Sequence, residues 1–112
     1  MKKEKNLEET LEYVKRVAST RGWILHRNDD ETLDMLIDGL TRYFNNVGYY
    51  NCPCRDTFED FKMDRDIVCP CDYAEPDIAE FGRCYCALYF DAKFDFSNPI
   101  DMIPERRPDI DY

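Results

Sequence analysis

Residues 52–86 read CPCRDTFEDFKMDRDIVCPCDYAEPDIAEFGRCYC, and all 6 cysteines of the chain lie inside this stretch. They form three Cys-x-Cys pairs, Cys52-Pro53-Cys54, Cys69-Pro70-Cys71 and Cys84-Tyr85-Cys86, separated by 14 and 12 residues. In an extended backbone, residues two apart point to the same side, with their Cα atoms about 6.5 Å apart. Pro53 and Pro70 fix φ and remove an N–H, so the flanking thiols project from a stiff backbone. Such a pair does not close a disulfide on itself without strain. Its sulfurs reach two irons of one cluster, or one iron and a neighbouring redox sulfur. Zinc knuckles generally use Cys-x2-Cys around one tetrahedral ion, a spacing that none of the three pairs has.

A [4Fe–4S] cluster takes four thiolates. Six cysteines therefore supply one cluster and leave two sulfurs for a redox-active disulfide beside it. The same count also accommodates two zinc ions or three structural disulfides, with the connectivity open. The chain has 112 residues, enough for one domain over 1–112. With 24 acidic residues against 15 Lys plus Arg, its formal charge is −9, which argues against a nucleic-acid partner. No apolar run is long enough to span a bilayer. Charged residues follow Lys2 and Lys3 where a signal core would be apolar. The expectation is a soluble, cytoplasmic domain whose cysteines stay reduced unless a metal or redox cycle uses them.

The first half reads as scaffold. Leu7, Leu11, Val14 and Ala18 carry a helical period that should stop at Arg21-Gly22. Trp23, Ile24 and Leu25 form a short apolar link. Asn28, Asp29 or Asp30 caps a second helix with Leu33, Leu36, Ile37, Leu40 and Phe44 as its buried stripe, ended by Asn45-Asn46-Val47-Gly48. In the second half, 56–65 and 74–81 read as short helices and 87–90 as a strand. Residues 1–6 and the proline-bearing 98–112 should be extended tails.

The ordered triple CPC, CPC, CxC resembles the catalytic subunit of ferredoxin–thioredoxin reductase, which carries CPC, CPC and CHC in that order. The resemblance runs from about Leu7 to about Phe96 and includes Ile37-Asp38-Gly39-Leu40 ahead of the first pair. It implies a small, mainly α-helical domain folded around a [4Fe–4S] cluster, with little regular sheet. It implies that Cys52, Cys69, Cys71 and Cys84 hold the cluster, and that Cys54 and Cys86 form the active-site disulfide. The exposed Cys54 would attack the target, and Cys86 would stay against the cluster. The implied partners are a ferredoxin or similar small electron carrier as donor and a thioredoxin-like protein as substrate; a second subunit also occurs in the family. The alternative is a non-catalytic iron–sulfur electron-transfer module or a zinc-binding structural module.

Two departures are informative. The family's first spacer is commonly longer and its second shorter, so the loops over the site must differ. Tyr85 stands where the family has His. With a pKa near 10, a tyrosine is a weaker acid–base group at neutral pH, so Tyr85 reads either as a packing residue with a hydrogen-bonding hydroxyl or as the catalytic residue that handles the proton. An acidic donor would need a local basic patch on this acidic chain, and Arg55, Arg83, Lys93, Arg106 and Arg107 are its candidates. Arg55, next to Cys54, should favour the thiolate. His26 reads as an ordinary polar link residue, and Glu59, Asp60, Asp64 and Asp66 as a solvated acidic face. Tyr49 and Tyr50 read as packing around the site, and 104–108 as a surface or donor-docking tail.

Overall fold

The computed structural model describes residues 4–25, 30–55, 57–97 and 102–107. Helix α1 spans Leu7–Arg21, strand β1 Trp23–Leu25, helix α2 Asp30–Val47, helix α3 Phe61–Asp64, helix α4 Ala74–Phe81 and strand β2 Tyr89–Asp91. About half of the described residues are helical, and the two strands make one small sheet. The expected caps Asn28 and Asp29, the lone His26, and Pro99 and Pro108 of the tail lie outside the described residues.

Helix α1 starts where Asn6 accepts from Glu9 N at 2.8 Å while Asn6 N donates back to Glu9 Oε1, a reciprocal cap that satisfies two orphan donors. It ends as expected at Gly22, whose φ of 75° suits a residue without Cβ. The predicted stripes face each other. Val14 and Ala18 of α1 and Leu36, Ile37 and Leu40 of α2 are buried in one core, while Leu7 stays 52% exposed. A buried polar tie crosses between the helices: Thr41 Oγ1 donates to Thr10 Oγ1 at 2.7 Å, and Thr10 meets the Tyr50 hydroxyl at 3.2 Å. Residues 5 and 6 are not a free tail, since Lys5 N donates to Asn45 Oδ1.

The apolar segment 23–25 is a strand rather than a link. It pairs antiparallel with β2 in the register Trp23↔Asp91, Ile24↔Phe90, Leu25↔Tyr89. Three residues do not signal a strand by themselves; the partner far along the chain makes it one. The second strand begins at Tyr89 instead of Ala87, because Ala87 closes a turn at φ 60° with its N–H on Cys84 O. The expected helix over 56–65 is only α3, continued by a 3-10 turn at Arg65–Ile67. Among the described residues, no helix is long and apolar enough to cross a membrane.

Candidate redox site

The three cysteine pairs are brought together by backbone pairing. Cys52 N donates to Ile67 O at 2.8 Å and Cys69 N to Tyr50 O at 2.7 Å, around the bridge Asn51↔Val68. This short ladder lays the first pair beside the second. The third is set by Cys84 N on Tyr89 O at 3.0 Å, so β2 carries it to the other two. Tyr13 of α1 donates its hydroxyl to Cys69 O at 2.6 Å and stacks on Tyr50 with centroids 4.6 Å apart. Gly39 of α2 lets the first pair come close: a Cβ there would lie 3.1 Å from Pro53 Cβ.

The first pair is not extended, which corrects the same-side picture drawn from its spacing. Arg55 N donates to Cys52 O at 3.1 Å, closing a turn with Pro53 at its second position, where a fixed φ is favoured. Asn51 braces that turn from within, its amide donating to Cys52 O and Arg55 O. The turn sends the two thiols apart: Cys52 is buried and Cys54 is exposed. The third pair makes a similar turn through the Ala87 to Cys84 hydrogen bond.

A small cavity is lined by Cys52, Cys69, Cys71, Cys84 and Cys86 and bordered by Arg55, Tyr85 and Leu88. Cys86, buried, lines the cavity and lies 2.7 Å from Cys52 Sγ. Among the described residues, no group of three or more His, Cys, Asp or Glu side chains is arranged to hold a single metal ion.

Electrostatics separate the six thiols into two kinds: Cys52 and Cys54 are lowered, Cys52 first through its hydrogen bond with Cys86, and the other four are raised. Cys54 is lowered to about 7: the Cys86 hydrogen bond stabilises its thiolate, burial opposes, and the charges of Arg55 and Arg83 assist. Cys86 is pushed well up by donating its proton to Cys52 and Cys54 and by burial. Burial, with repulsion from neighbouring cysteines, raises Cys69 and Cys71 and lifts Cys84 to about 11. Sulfurs crowded in this way carry negative charge together only beside a positive group. Donors already face them: Tyr89 N reaches Cys84 Sγ at 3.3 Å, and Arg55 Nη1 reaches Cys71 Sγ at 3.3 Å. A cysteine-rich, mostly apolar cavity with N–H groups on its sulfurs suits an iron–sulfur group.

Tyr85 presents its ring to Arg55, whose Cζ is 4.6 Å from the centroid. The five cations considered for a basic patch are mostly committed elsewhere. Arg55 is buried and paired with Glu105, Arg106 binds Asp77 and Glu80, and Arg107 binds Asp66. Arg83 turns back onto Tyr85 O, whereas Lys93 is exposed. The acidic face is likewise corrected. Asp64 is fully buried and accepts from Tyr49 at 2.5 Å, from Thr57 and from Phe58 N, folding the spacer between the first two pairs. Its carboxylate gathers donors that water would otherwise satisfy, which periodicity does not reveal. Asp66 takes Tyr73 and Arg107. Asp64, Asn51, Gly39 and Glu105 were not readable as site residues; only Gly39, a glycine inside a strongly amphipathic helix, left a signal.

An exposed thiol of low pKa next to a buried, protonated one has the make-up of a thiol–disulfide redox site. The family comparison agrees: the chain belongs to the family of the ferredoxin thioredoxin reductase catalytic beta chain, whose model matches residues 1–104. That membership supports an oxidoreductase with a disulfide reductase role. No curated protein matches the sequence.

Proposed function

We propose that the chain is an iron–sulfur disulfide reductase that takes single electrons from a ferredoxin-like carrier and reduces a thioredoxin-like protein. The observation that carries this reading is the contrast between Cys54, exposed, and Cys86, buried in the lining of a sulfur-lined cavity. Cys52, Cys69, Cys71 and Cys84 are the residues that would hold a [4Fe–4S] cluster. When bound, it would supply electrons one at a time beside a disulfide that needs two.

The chain's own part is thiol–disulfide exchange. Two electrons and two protons convert the Cys54–Cys86 disulfide to two thiols. Cys54, as thiolate, attacks one sulfur of the partner's disulfide; a mixed disulfide forms and the partner's other sulfur leaves as a thiolate. Cys86 gives up its proton and attacks Cys54 Sγ. The Cys54–Cys86 bond re-forms and the partner departs as a dithiol. Tyr85, between the two thiols of the third pair, would pass the proton, and Arg55 and Arg83 favour the Cys54 anion.

Anaerobic purification with iron analysis, thiol counting and a turnover assay tests this. Expected are about four irons per chain, and two alkylatable thiols that appear only after mild reduction with the iron retained. Cys54→Ser should keep the iron and lose turnover altogether; turnover that persists in it overturns the assignment. Tyr85→Phe, which preserves the ring on Arg55, should slow turnover without changing the iron. A colourless, zinc-containing protein would favour the structural module instead.

A further inference from the structure

Arg55 follows the nucleophile in sequence, yet its side chain turns inward and is only 4% exposed. Nε and Nη2 grip the Glu105 carboxylate at 2.6 and 2.5 Å. The remaining nitrogen, Nη1, points to two sulfurs, Cys71 at 3.3 Å and Cys52 at 3.6 Å. The guanidinium is planar and its donors are fixed relative to one another, so a partner that takes one edge decides where the third nitrogen points. Tyr85 and Tyr73 hold the plane, with Arg55 Cζ 4.6 and 5.3 Å from their centroids.

Glu105 is itself held. It sits in the segment 102–107, which is anchored by the buried Ile103 before it and by the ion pairs of Arg106 and Arg107 after it. Arg106 donates to the fully buried Asp77 at 2.7 Å. Arg107 donates to Asp66 and to Met63 O, each at 2.7 Å, and its own N–H reaches Glu105 Oε1 at 2.9 Å. The segment thus brings its acid to Arg55, which among the described residues is the arginine that touches two of the sulfurs.

We infer that Glu105 is a positioning residue that sets the reduction potential of the site by aiming Arg55 at Cys52 and Cys71. The inference rests on the reading of those cysteines as cluster ligands. Hydrogen bonds and positive charge on ligating sulfurs stabilise the state with one more electron and raise the potential. The negative charge of Glu105 acts the opposite way, so its removal separates the two effects by sign. If charge alone mattered, the potential would rise; if aim matters, it falls.

The test is a potentiometric titration of the anaerobically purified full chain, followed by absorption and spin resonance, with iron content measured alongside. Glu105→Ala should keep the wild-type iron content. Its midpoint should become more negative by roughly one tenfold step in the one-electron equilibrium, about 59 mV. Arg55→Lys keeps the charge but cannot grip Glu105 and reach both sulfurs at once; it should move the midpoint in the same direction, and it decides the matter if Glu105→Ala does not fold. An unchanged or more positive midpoint overturns the inference alone. Iron-free wild-type protein overturns the proposed function and the inference with it, so the two failures are told apart by the iron content of the unmodified chain.

Discussion

Cys54 is exposed with its thiol lowered to about 7, whereas Cys86 is buried and held protonated. The order of attack in the proposed exchange follows from that difference, because only the thiolate is a nucleophile. In reduced protein, alkylation of Cys54 should rise about tenfold per pH unit below 7 and level off above it, since the thiolate accumulates as pH passes the pKa. Rates from mass spectrometry across pH 5 to 9 check this; a midpoint near the usual thiol value of about 8.5 would remove the asymmetry. The cysteines were legible in the sequence because they are few and clustered. Their division into inward and outward thiols was implied by the family resemblance and not by their spacing. It depends on a turn closed by the Arg55 N–H on Cys52 O and on Arg55 being turned inward by an acid 50 residues away. A spacing rule sees neither.

At the scale of elements, α1, α2 and α4 could be read from periodicity and stop signals, since each buries one face in the common core. Of the strands, β2 was legible as the apolar run 87–90, whereas β1 was not, because three apolar residues become a strand only through a partner far along the chain. Two glycines join elements to the site. On α2, Gly39→Val would drive a branched side chain into Pro53, where a single Cβ already comes to 3.1 Å. Iron loading should be lost with helical circular dichroism retained, because the clash falls on the first cysteine pair and not on the helix core. At the end of α4, Gly82 adopts φ 80°, and a Cβ there would lie 2.9 Å from Phe94 Cδ1. Phe94 is packed with Phe90 and Phe96, centroids 4.7 and 4.9 Å away. Gly82→Ala should therefore cost about 1–2 kcal/mol for the left-handed backbone, and more for the displaced ring. Urea unfolding measures it.

Over the whole molecule, segment 102–107 is tied down by carboxylates at distant points of the chain. Burial raises Glu105, but the Arg55 contact outweighs it and leaves the carboxyl below its usual value; Tyr73 and Arg107 do the same for Asp66. A depressed native pKa means stabilisation that is complete above the unfolded value, about 4 for these groups, and lost as pH falls through the lower native one. The Arg107 amide, which donates to Glu105 Oε1, should show a high hydrogen-exchange protection factor at neutral pH that falls in that acid range; protection that persists there would contradict the pairing. The sheet has a different bearing. Trp23–Leu25 finds its partner only in Tyr89–Asp91, and the latter segment also seats Cys84. During synthesis, Cys52, Cys54, Cys69 and Cys71 leave the ribosome before that segment exists. For this interval the nascent thiols have no enclosure against oxidants or stray metals, and assembly of the proposed cluster would wait until Tyr89–Asp91 has been made.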